Sequence, residues 1–312
     1  MTEILMVLVS QGLFAKAYGG TGLEYARDVI RTSDGGFLIS GTTQAFGAGS
    51  DEFMVMKLDA SGNLTWVRTI GGTGSDECFR ATQTPDGGYA IGGVTYSYGG
   101  GVADAFVVKL DGTGNFLWNR TFGATGEDRI HAIITTSDGG IATAGRTINY
   151  GAGGADFLVM KLNSAGTLQW ARTCGGSSTD DAYAMTETSD SGIVVVGLSY
   201  SFTATSGDVY IAKFSSGGNF LWSKTYGGAS TDDAFGVTET YGKGLAVTGY
   251  CMSYGAGNGD IFVLMLDSLG NLSWARVIGQ TSDDWVSASC RPRTPAWLFL
   301  EGGRAPTGMS TY

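Results

Sequence analysis

The amino-acid sequence predicts an all-β protein, a six-bladed β-propeller of 52-residue, four-stranded blades. Glycines recur every 52 residues along almost the whole chain, at Gly19, Gly71, Gly123, Gly175, Gly227 and Gly279. Tryptophans keep the same step, at Trp66, Trp118, Trp170, Trp222 and Trp274, with Phe14 in the equivalent place before them. Each unit holds four strand-like runs of β-branched and aromatic residues, and no segment has helical periodicity.

The propeller follows from the length and content of this repeat. A single four-stranded blade cannot bury both of its faces, whereas packing between two neighbours does so, and closing the ring removes the unpaired ends. We therefore predict one domain spanning residues 1–312. Its blades are residues 19–70, 71–122, 123–174, 175–226 and 227–278, and a sixth composite blade made of residues 279–312 and 1–18.

Each element of the repeat has its own signal. In the fourth unit the predicted strands are Ala182–Thr188, Ile193–Ser199, Val209–Phe214 and Phe220–Thr225. An Asp-Gly-Gly phrase, beginning at Asp34, Asp86 and Asp138, separates the first two strands and is a hairpin signal. In the composite blade we predict Trp297–Leu300 as the second strand, Ile4–Val9 as the third and Leu13–Tyr18 as the fourth.

The C-terminal stretch departs from the repeat. Residues 291–295 replace the Thr-x-Asp-Gly-Gly turn, and Glu301 replaces a recurring glycine. Read in another frame, residues 308–312 would give Asp-Val-Tyr-Val, which matches the third strand at residues 208–211. We therefore hypothesise a frame change within residues 290–312, in which case the natural protein is longer and continues into further repeats.

Charge and composition limit the classes of partner. The formal net charge is −10 and the pI is near 4.5, so a phosphate backbone would be repelled and nucleic acid is not an expected partner. No apolar run approaches the ~20 residues that a membrane helix needs, and no signal peptide is visible. We expect a monomer. Isolated buried thiols, rather than a disulfide framework or metal site, are predicted at Cys78, Cys174, Cys251 and Cys290.

The repeat resembles a known family. The phrase from Asp208 to Phe214, followed by Gly218-Asn219-Phe220-Leu221-Trp222, resembles the SBBP-type propeller repeat of bacteria and archaea. It is similar, more distantly, to the repeat of pyrroloquinoline-quinone-type propellers. The resemblance implies a secreted or cell-surface repeat protein, with the first strand of each blade lining a central channel. It also implies that the loops before the first strands share one face with the second-to-third connections. Quinone-dependent activity is not implied, because the chain lacks the long insertions of those enzymes.

A carboxylate stands five residues after each leading glycine, and these are the candidate ligand-binding residues at the channel mouth: Glu24, Asp76, Asp128, Asp180, Asp232 and Asp284. As a functional ring they would hold a cation or attract one electrostatically. The interpretation that we favour is structural, with each carboxylate accepting backbone N–H groups in its own turn. Recurrence in every unit supports it, because a ligand site usually breaks the symmetry of a repeat.

Two further sets of charges recur. A second acidic set precedes the third strand, and the same two interpretations apply to Glu52, Asp104, Asp156, Asp208 and Asp260; its sixth position falls at Tyr312. Cations two residues after each tryptophan are Lys16, Arg68, Arg120, Arg172, Lys224 and Arg276, with Lys57, Lys109, Lys161 and Lys213 in the neighbouring strand. We interpret all these cations as solvated charges that discourage edge pairing.

Three other features are candidates for a specific site. Aromatic residues recur in the second-to-third connections, and we favour packing between blades over ligand stacking for Phe46, Tyr98, Tyr150, Phe202 and Tyr254. The single histidine, His131, is interpreted as a packed residue rather than a catalyst. The least repetitive column, where an asymmetric site could lie, comprises Arg31, Gln83, Thr135, Glu187, Glu239 and Arg291.

Three function hypotheses follow. The leading one is a non-enzymatic scaffold that binds a protein or glycan through one face. The second is a purely structural repeat module of a surface protein. The third is an enzyme with a divalent cation, such as calcium, held by carboxylates at the channel mouth. No catalytic residue, metal ligand or cofactor is assigned, because one histidine cannot supply a Ser-His-Asp arrangement and no DxDxDG spacing occurs.

Overall fold

The computed structural model of the protein describes residues 16–202, 206–280, 284–285 and 301–302. In this part of the chain, twenty strands of seven or eight residues form five four-stranded antiparallel sheets. Within every sheet the strands are hydrogen-bonded in chain order, from first to fourth. No helix occurs among the described residues. The prediction of an all-β chain of four-stranded repeats is confirmed.

The chain divides into two compact units, and the boundary lies between Gly175 and Gly176. The first unit contains three sheets. Sheet 1 consists of β1 (Glu24–Arg31), β2 (Phe37–Thr43), β3 (Glu52–Leu58) and β4 (Leu64–Ile70). Sheet 2 consists of β5 (Asp76–Gln83), β6 (Tyr89–Thr95), β7 (Asp104–Leu110) and β8 (Phe116–Phe122). Sheet 3 consists of β9 (Asp128–Thr135), β10 (Ile141–Thr147), β11 (Asp156–Leu162) and β12 (Leu168–Cys174).

The second unit contains two complete sheets and one short pair of strands. Sheet 4 consists of β13 (Asp180–Glu187), β14 (Ile193–Ser199), β15 (Asp208–Phe214) and β16 (Phe220–Tyr226). Sheet 5 consists of β17 (Asp232–Glu239), β18 (Leu245–Cys251), β19 (Asp260–Leu266) and β20 (Leu272–Ile278). The short pair joins β21 (Asp284–Trp285) and β22 (Glu301–Gly302) in antiparallel fashion.

The predicted strands of the fourth unit agree closely with sheet 4. The first strand begins two residues earlier than predicted, because Asp180 still pairs with Ser199. It ends at Glu187, because the backbone N–H of Thr188 donates to the carbonyl of Gly192 at 2.8 Å and so closes the hairpin turn. The hydrogen bonds of the turn therefore move the end of the strand by one residue, and the strand itself is as predicted.

The second and third strands form the buried layer. Every residue of β2, β3, β6, β7 and β11 is buried, whereas no residue of the fourth strands β4, β8 and β16 is buried. Adjacent sheets cover one another within each unit. One core joins Leu38 of sheet 1 to Phe106 of sheet 2, and another joins Val194 of sheet 4 to Phe262 of sheet 5. The repeat is thus stabilised by packing between neighbours.

A β-bulge in each first strand explains the glycine that recurs in each second strand. In β13 the pairing skips Tyr183, between Ala182 and Ala184. The bulge brings the first-strand backbone so close that a Cβ at Gly197 would lie 2.0 Å from the carbonyl oxygen of Asp181. The bulged residues of the other sheets are Arg27, Phe79, His131 and Phe235, and the glycines opposite them are Gly41, Gly93, Gly145 and Gly249.

The repeated tryptophans link consecutive sheets within a unit. A Cβ at Gly114, in the third-to-fourth hairpin of sheet 2, would lie 2.8 Å from the ring of Trp66, in the fourth strand of sheet 1. The same contact joins Trp118 to Gly166 and Trp222 to Gly270. Trp66, Trp118 and Trp222 are therefore packing groups between neighbouring sheets. We call this junction, between a fourth strand and the next third-to-fourth hairpin, the seam.

The interpretation of the cations after the tryptophans as solvated is wrong for Arg68, which is half-buried. Arg120 is exposed, as predicted, and still makes specific contacts. Arg68 Nε donates to the carbonyl of Gly114 at 2.8 Å, and its guanidinium lies 5.6 Å from the Trp66 ring. Arg120 repeats both contacts in the next seam. The lysines make a different bond, from Lys16 Nζ to Asn63 Oδ1 at 2.7 Å and from Lys224 Nζ to Asn271 Oδ1 at 3.1 Å.

The lysines of the third strands are also not solvated, and that interpretation is wrong as well. All four are buried, and each ammonium pairs with the aspartate of its own first-to-second turn. Lys109 is 2% exposed, lies 2.9 Å from Asp86 Oδ2 and also donates to the carbonyl of Leu110 at 3.1 Å. Because a third strand is covered on both faces, its lysine extends to the end of the sheet and finds the turn there.

These ion pairs predict a loss of stability in acid. The ammonium of Lys57 holds the pKa of Asp34 at about 2, and that of Lys213 holds the pKa of Asp190 at about 2. Since both pKa values lie below the ordinary value of 3.8, the stabilisation is complete above pH 4 and is lost as the pH falls towards 2. We expect the urea midpoint to fall steadily between pH 4 and pH 2. An unchanged midpoint across that range would contradict the assignment.

Several predictions lie outside the described residues. These are the third strand of the composite blade and part of its fourth, its second strand at residues 297–300, the frame change in residues 290–312, and Cys290. Of the other cysteines, Cys78 and Cys251 are buried and Cys174 is half-buried. The described residues also contain no helix of the length and apolar character that crossing a membrane requires.

Candidate functional site

The candidate carboxylates stand at the start of each first strand. Asp76, the fully buried example in sheet 2, accepts hydrogen bonds on Oδ2 from the backbone N–H of Gly72 at 2.9 Å and from Ser97 Oγ at 2.7 Å. Its Oδ1 accepts from Thr95 Oγ1. These donors come from the loop before the first strand and from the second-to-third connection. The carboxylate therefore holds the two loops together at one end of the sheet.

The equivalent residues make the same turn bond. The N–H group four residues earlier donates to the carboxylate of Glu24 at 3.0 Å, Asp128 at 3.4 Å, Asp180 at 2.8 Å, Asp232 at 3.0 Å and Asp284 at 2.8 Å. Asp128, Asp180 and Asp232 are buried in addition, whereas Glu24 and Asp284 are partly exposed. Each carboxylate thus has the local bond that the structural interpretation requires.

The second acidic set lies beside the first. A Cβ at Gly71 would lie 2.0 Å from Glu52 Oε2 and 2.5 Å from Asp76 Oδ2, so two carboxylates flank one leading glycine. Asp104 and Asp128 flank Gly123 in the same way. Burial raises the pKa of Asp104, and the charge of Asp128 raises it further. No group of three or more acidic, cysteine or histidine side chains that could hold a metal occurs among the described residues.

The second-to-third connections expose aromatic rings, contrary to the predicted packing between blades. Tyr98 rests on Phe106 of its own third strand, with ring centroids 5.6 Å apart, and its hydroxyl donates to the carbonyl of Gly71 at 2.6 Å. The ring of Tyr98 remains 42% exposed. Phe202 rests on Tyr210 in the same way, at 5.0 Å. The large apolar and aromatic residues exposed in these connections are Phe46, Tyr96, Tyr98, Val102, Ile148, Tyr150, Tyr200, Phe202, Met252 and Tyr254.

The bulged residues bring aromatic groups together on adjacent first strands. In the first unit, Arg27 lies 5.8 Å from the Phe79 ring, and Phe79 lies 5.1 Å from His131. In the second unit, Tyr183 lies 5.3 Å from Phe235. His131 is therefore a packed residue, as predicted. A bulge redirects a side chain out of the pleat, which is how these rings meet.

A charged cluster in sheet 3 breaks the symmetry of the repeat, and the sequence analysis did not identify it. Glu127 Oε1 accepts from Arg129 Nε at 2.6 Å and from Arg146 Nη2. Arg129 also donates to the hydroxyl of Tyr96 at 3.0 Å. The sequence did contain a signal for this cluster, because the residue that follows each candidate carboxylate is not the same in every repeat. In sheets 1 to 5 these residues are Tyr25, Glu77, Arg129, Asp181 and Asp233.

In sheets 4 and 5 of the second unit, the residues that follow the candidate carboxylates are both acidic, Asp181 and Asp233. Burial, together with the charges of Asp181 and Asp232, raises the pKa of Asp233 to about 6. Because this value lies above the ordinary 3.8, the protonated form is stabilised by folding, and that stabilisation is lost as the pH rises from 4 through 6. We expect Asp233→Asn to raise the stability by about 1–3 kcal/mol at pH 7.5 and much less at pH 4. Thermal unfolding at both pH values checks it, and equal gains would contradict it.

The least repetitive column has structural partners within each unit. Gln83 Oε1 accepts from the backbone N–H of Ser33 at 2.8 Å, and Glu239 Oε2 accepts from that of Ser189 at 2.8 Å. Both bonds join a first strand to the turn of the preceding sheet. Arg291 lies outside the described residues. The variation in this column therefore includes two residues that secure neighbouring turns.

Comparison with known proteins adds one sequence relative. No family model matches the chain, so the resemblance to SBBP-type repeats stays a prediction. Regulatory protein FlaEY of Caulobacter vibrioides is 27% identical over 232 residues, which are 65% of this chain and 24% of that protein. This chain thus spans about a quarter of the length of that relative.

Several solved structures are similar. A protein of unknown function from Bacteroides caccae matches with a TM-score of 0.50 and 12% identity, over 86% of this chain and 87% of that one. The β-propeller domain of the Trilobed protease from Pyrococcus furiosus matches with a TM-score of 0.49 and 10% identity, over 85% and 75% of the two chains. The Pan2 WD40 domain of Neurospora crassa matches at 0.48 and 14%, over 85% and 84%. Such low identities bear on the fold alone, and the five described sheets have the make-up of propeller blades.

Proposed function

We propose that the protein is a non-enzymatic β-propeller scaffold that binds a protein or a glycan through its second-to-third connections. The observation that carries this proposal is the pair of half-exposed aromatic or large apolar side chains in the connections of sheets 2 to 5, for example Tyr96 with Tyr98 and Ile148 with Tyr150. Such residues are expensive to leave in water unless a partner covers them.

The rings are held in position before any partner arrives. The hydroxyl of Tyr98 is bonded to Gly71, and that of Tyr254 donates to the carbonyl of Gly227 at 3.2 Å. Near Tyr98, the carboxylates of Glu52 and Asp76 accept hydrogen bonds from the backbone of the loops. The loops therefore have little conformational freedom to lose when a partner binds. Rigid, amphipathic rings on an anchored loop favour recognition over a merely structural module.

The test uses the face and a matched control. We expect Tyr150→Ala and Tyr254→Ala to weaken binding to a glycan array, or to a purified protein partner, without lowering the melting temperature. Tyr241 serves as the control, because it is 97% exposed in a first-to-second turn, at the other end of its sheet. Equal binding by all three variants would reject the face. The absence of any glycan or protein ligand would favour the structural-module alternative, and calcium-dependent melting would favour the enzyme alternative.

Six blades closed by both ends of the chain are the second part of the proposal. Lys16 bonds to Asn63, and Tyr18 bonds to Gly62. In the fourth strand of sheet 4, Lys224 and Tyr226 make the equivalent bonds to Asn271 and Gly270. Residues 16–18 therefore make the contacts of a fourth strand. At the other end, the N–H of Asp284 donates to the carbonyl of Gly259 at 3.0 Å, as expected for a following first strand. Trp274 is 47% exposed, which leaves room on sheet 5 for one more hairpin.

Removal of residues 1–15 tests the closure. We expect the shortened chain to melt at a lower temperature, and an added peptide of residues 1–18 to restore the loss. A deletion that leaves the melting temperature unchanged would rule out closure by the N-terminal strands. Light scattering on the full chain checks the expected monomer.

A further inference from the structure

A cavity of about 530 Å³ lies in the seam between sheets 1 and 2. It runs between the fourth strand of sheet 1 and the third-to-fourth hairpin of sheet 2, and it reaches the second-to-third connections at one end. Its volume lies within the usual range for small-molecule sites in proteins. The lining residues on which the inference depends are Glu52, Arg68, Tyr98, Asn115, Phe116 and Asn119.

The amide of Asn115 offers an acceptor that two equivalent seams do not offer. In the seams that begin with Lys16 and Lys224, the ammonium donates to the Oδ1 of the equivalent asparagine. Here Arg68 takes the place of the lysine and donates instead to the backbone carbonyls of Gly114 and Thr113. Asn115 Nδ2 is bonded to Asp111, and no donor among the described residues reaches Asn115 Oδ1.

The charges along the cavity balance. Glu52 is buried, and its Oε1 accepts the backbone N–H groups of Ala48 at 2.9 Å and Gly49 at 2.8 Å. Arg68 supplies the opposite charge along the same wall and is itself bonded to carbonyls. A ligand carrying a net charge gains nothing from such a lining, whereas hydroxyl groups can donate to the carboxylate and to the amide oxygen.

Two aromatic rings border the polar cavity. Phe116 is 54% exposed and Tyr98 is 42% exposed, so each presents one side to whatever occupies the groove. An aromatic face next to fixed hydrogen-bonding groups suits the alternating apolar and hydroxyl surfaces of a sugar ring.

The combination is particular to this seam. The phenylalanine recurs in sheet 4 as Phe220, whereas sheets 3 and 5 have Leu168 and Leu272. The equivalents of Asn119 in sheets 3, 4 and 5 are Ala171, Ser223 and Ala275. The repeat therefore supplies the groove, and Asn119 is a lining residue that no other sheet repeats. A specific site is expected to differ from its equivalents in this way.

We infer that this groove binds a short neutral oligosaccharide, with one sugar ring stacked on Phe116 and its hydroxyl groups bonded to Asn115, Asn119 and Glu52. The inference rests on the proposed binding function and names the ligand class and the site. Tyr98 borders the groove and also lies in a second-to-third connection, whereas Tyr150 and Tyr254 do not line the groove. Variants of Tyr150 and Tyr254 therefore test the proposed function separately from this inference.

The test is an array of immobilised neutral oligosaccharides, followed by calorimetry with the best-bound member. We expect Phe116→Ala and Asn119→Ala each to weaken binding about tenfold or more, the loss of roughly one buried contact or hydrogen bond. The matched control is Leu168→Ala, which removes an exposed side chain at the equivalent place in sheet 3 and should leave the affinity unchanged. Both groove residues lie on the outer strand, so melting curves should match those of the unaltered protein.

Three results would overturn the inference. In the first, the unaltered protein binds no neutral oligosaccharide on the array, while a protein or an acidic glycan still binds the second-to-third connections. In the second, binding is lost with Tyr150→Ala and kept with Phe116→Ala and Asn119→Ala. In the third, the control Leu168→Ala weakens binding as much as the groove variants do. The first two of these leave the proposed scaffold function standing.

Discussion

Replacing Gly145 by alanine is expected to destabilise the first unit by about 3 kcal/mol or more, the upper end of what overpacking costs. The new Cβ would lie 1.9 Å from the carbonyl oxygen of Arg129 and 2.9 Å from the Cα of Ile130. Both are backbone atoms of β9, held by the pairing of β9 with β10, so no side-chain rotation relieves the clash. The bulge at His131 sets this approach, and only hydrogen fits opposite it.

The matched control is Gly100→Ala. No heavy atom lies within 4 Å of a Cβ at Gly100, and we expect a change within about 0.5 kcal/mol. Urea unfolding of the two variants measures the difference directly. If Gly145→Ala unfolds at the same urea concentration as Gly100→Ala, the bulge does not constrain the second strand, and the explanation of the recurring glycine fails.

Replacing Asp86 by alanine is expected to cost about 2–4 kcal/mol, since it leaves a buried ammonium without its counter-charge. Lys109 is almost fully buried, and its remaining partner would be the carbonyl of Leu110. The turn also loses the bond from the N–H of Gly88 to Asp86 Oδ1, at 3.0 Å. The cost falls towards the lower value because the side chain of Asp86 is itself 56% exposed.

Lys109→Met is the informative partner variant. It keeps the buried aliphatic stem and removes the charge, so we expect it to cost less than Asp86→Ala. Chemical unfolding at pH 7 compares the two. A larger loss in Lys109→Met than in Asp86→Ala would mean that the ion pair itself, rather than the avoidance of an unpaired ammonium, stabilises the sheet.

The strands and turns were accessible from the sequence because they depend on local chemistry. A run such as Ile193–Ser199 is rich in β-branched residues between turn signals, and it coincides with β14. Because the repeat is 52 residues long throughout, the strands predicted for one repeat also predict the strands of the other described sheets. The boundary error at Thr188 arose because turn bonds, rather than propensity, end the strand.

The errors concern long side chains. Lys57 and Lys109 lie in apolar strands, and a sequence pattern cannot tell an ammonium that reaches solvent from one that reaches an aspartate in the adjoining turn. Tyr98 and Tyr254 were expected to be buried because aromatic residues usually are. Their exposure depends on whether the next sheet extends over the loop, which is a property of the assembled unit.

Taken alone, the sequence determined the period of the repeat, the four strands of each described sheet, and the glycines and aspartates that form the turns, because each depends on residues close along the chain. The tertiary structure alone decided which charges are buried as pairs, which rings stay exposed, and that a seam in the first unit contains a polar cavity. The ion pairs join a third strand to the first-to-second turn of the same sheet. The cavity depends on residues about one repeat apart, which meet only when neighbouring sheets pack.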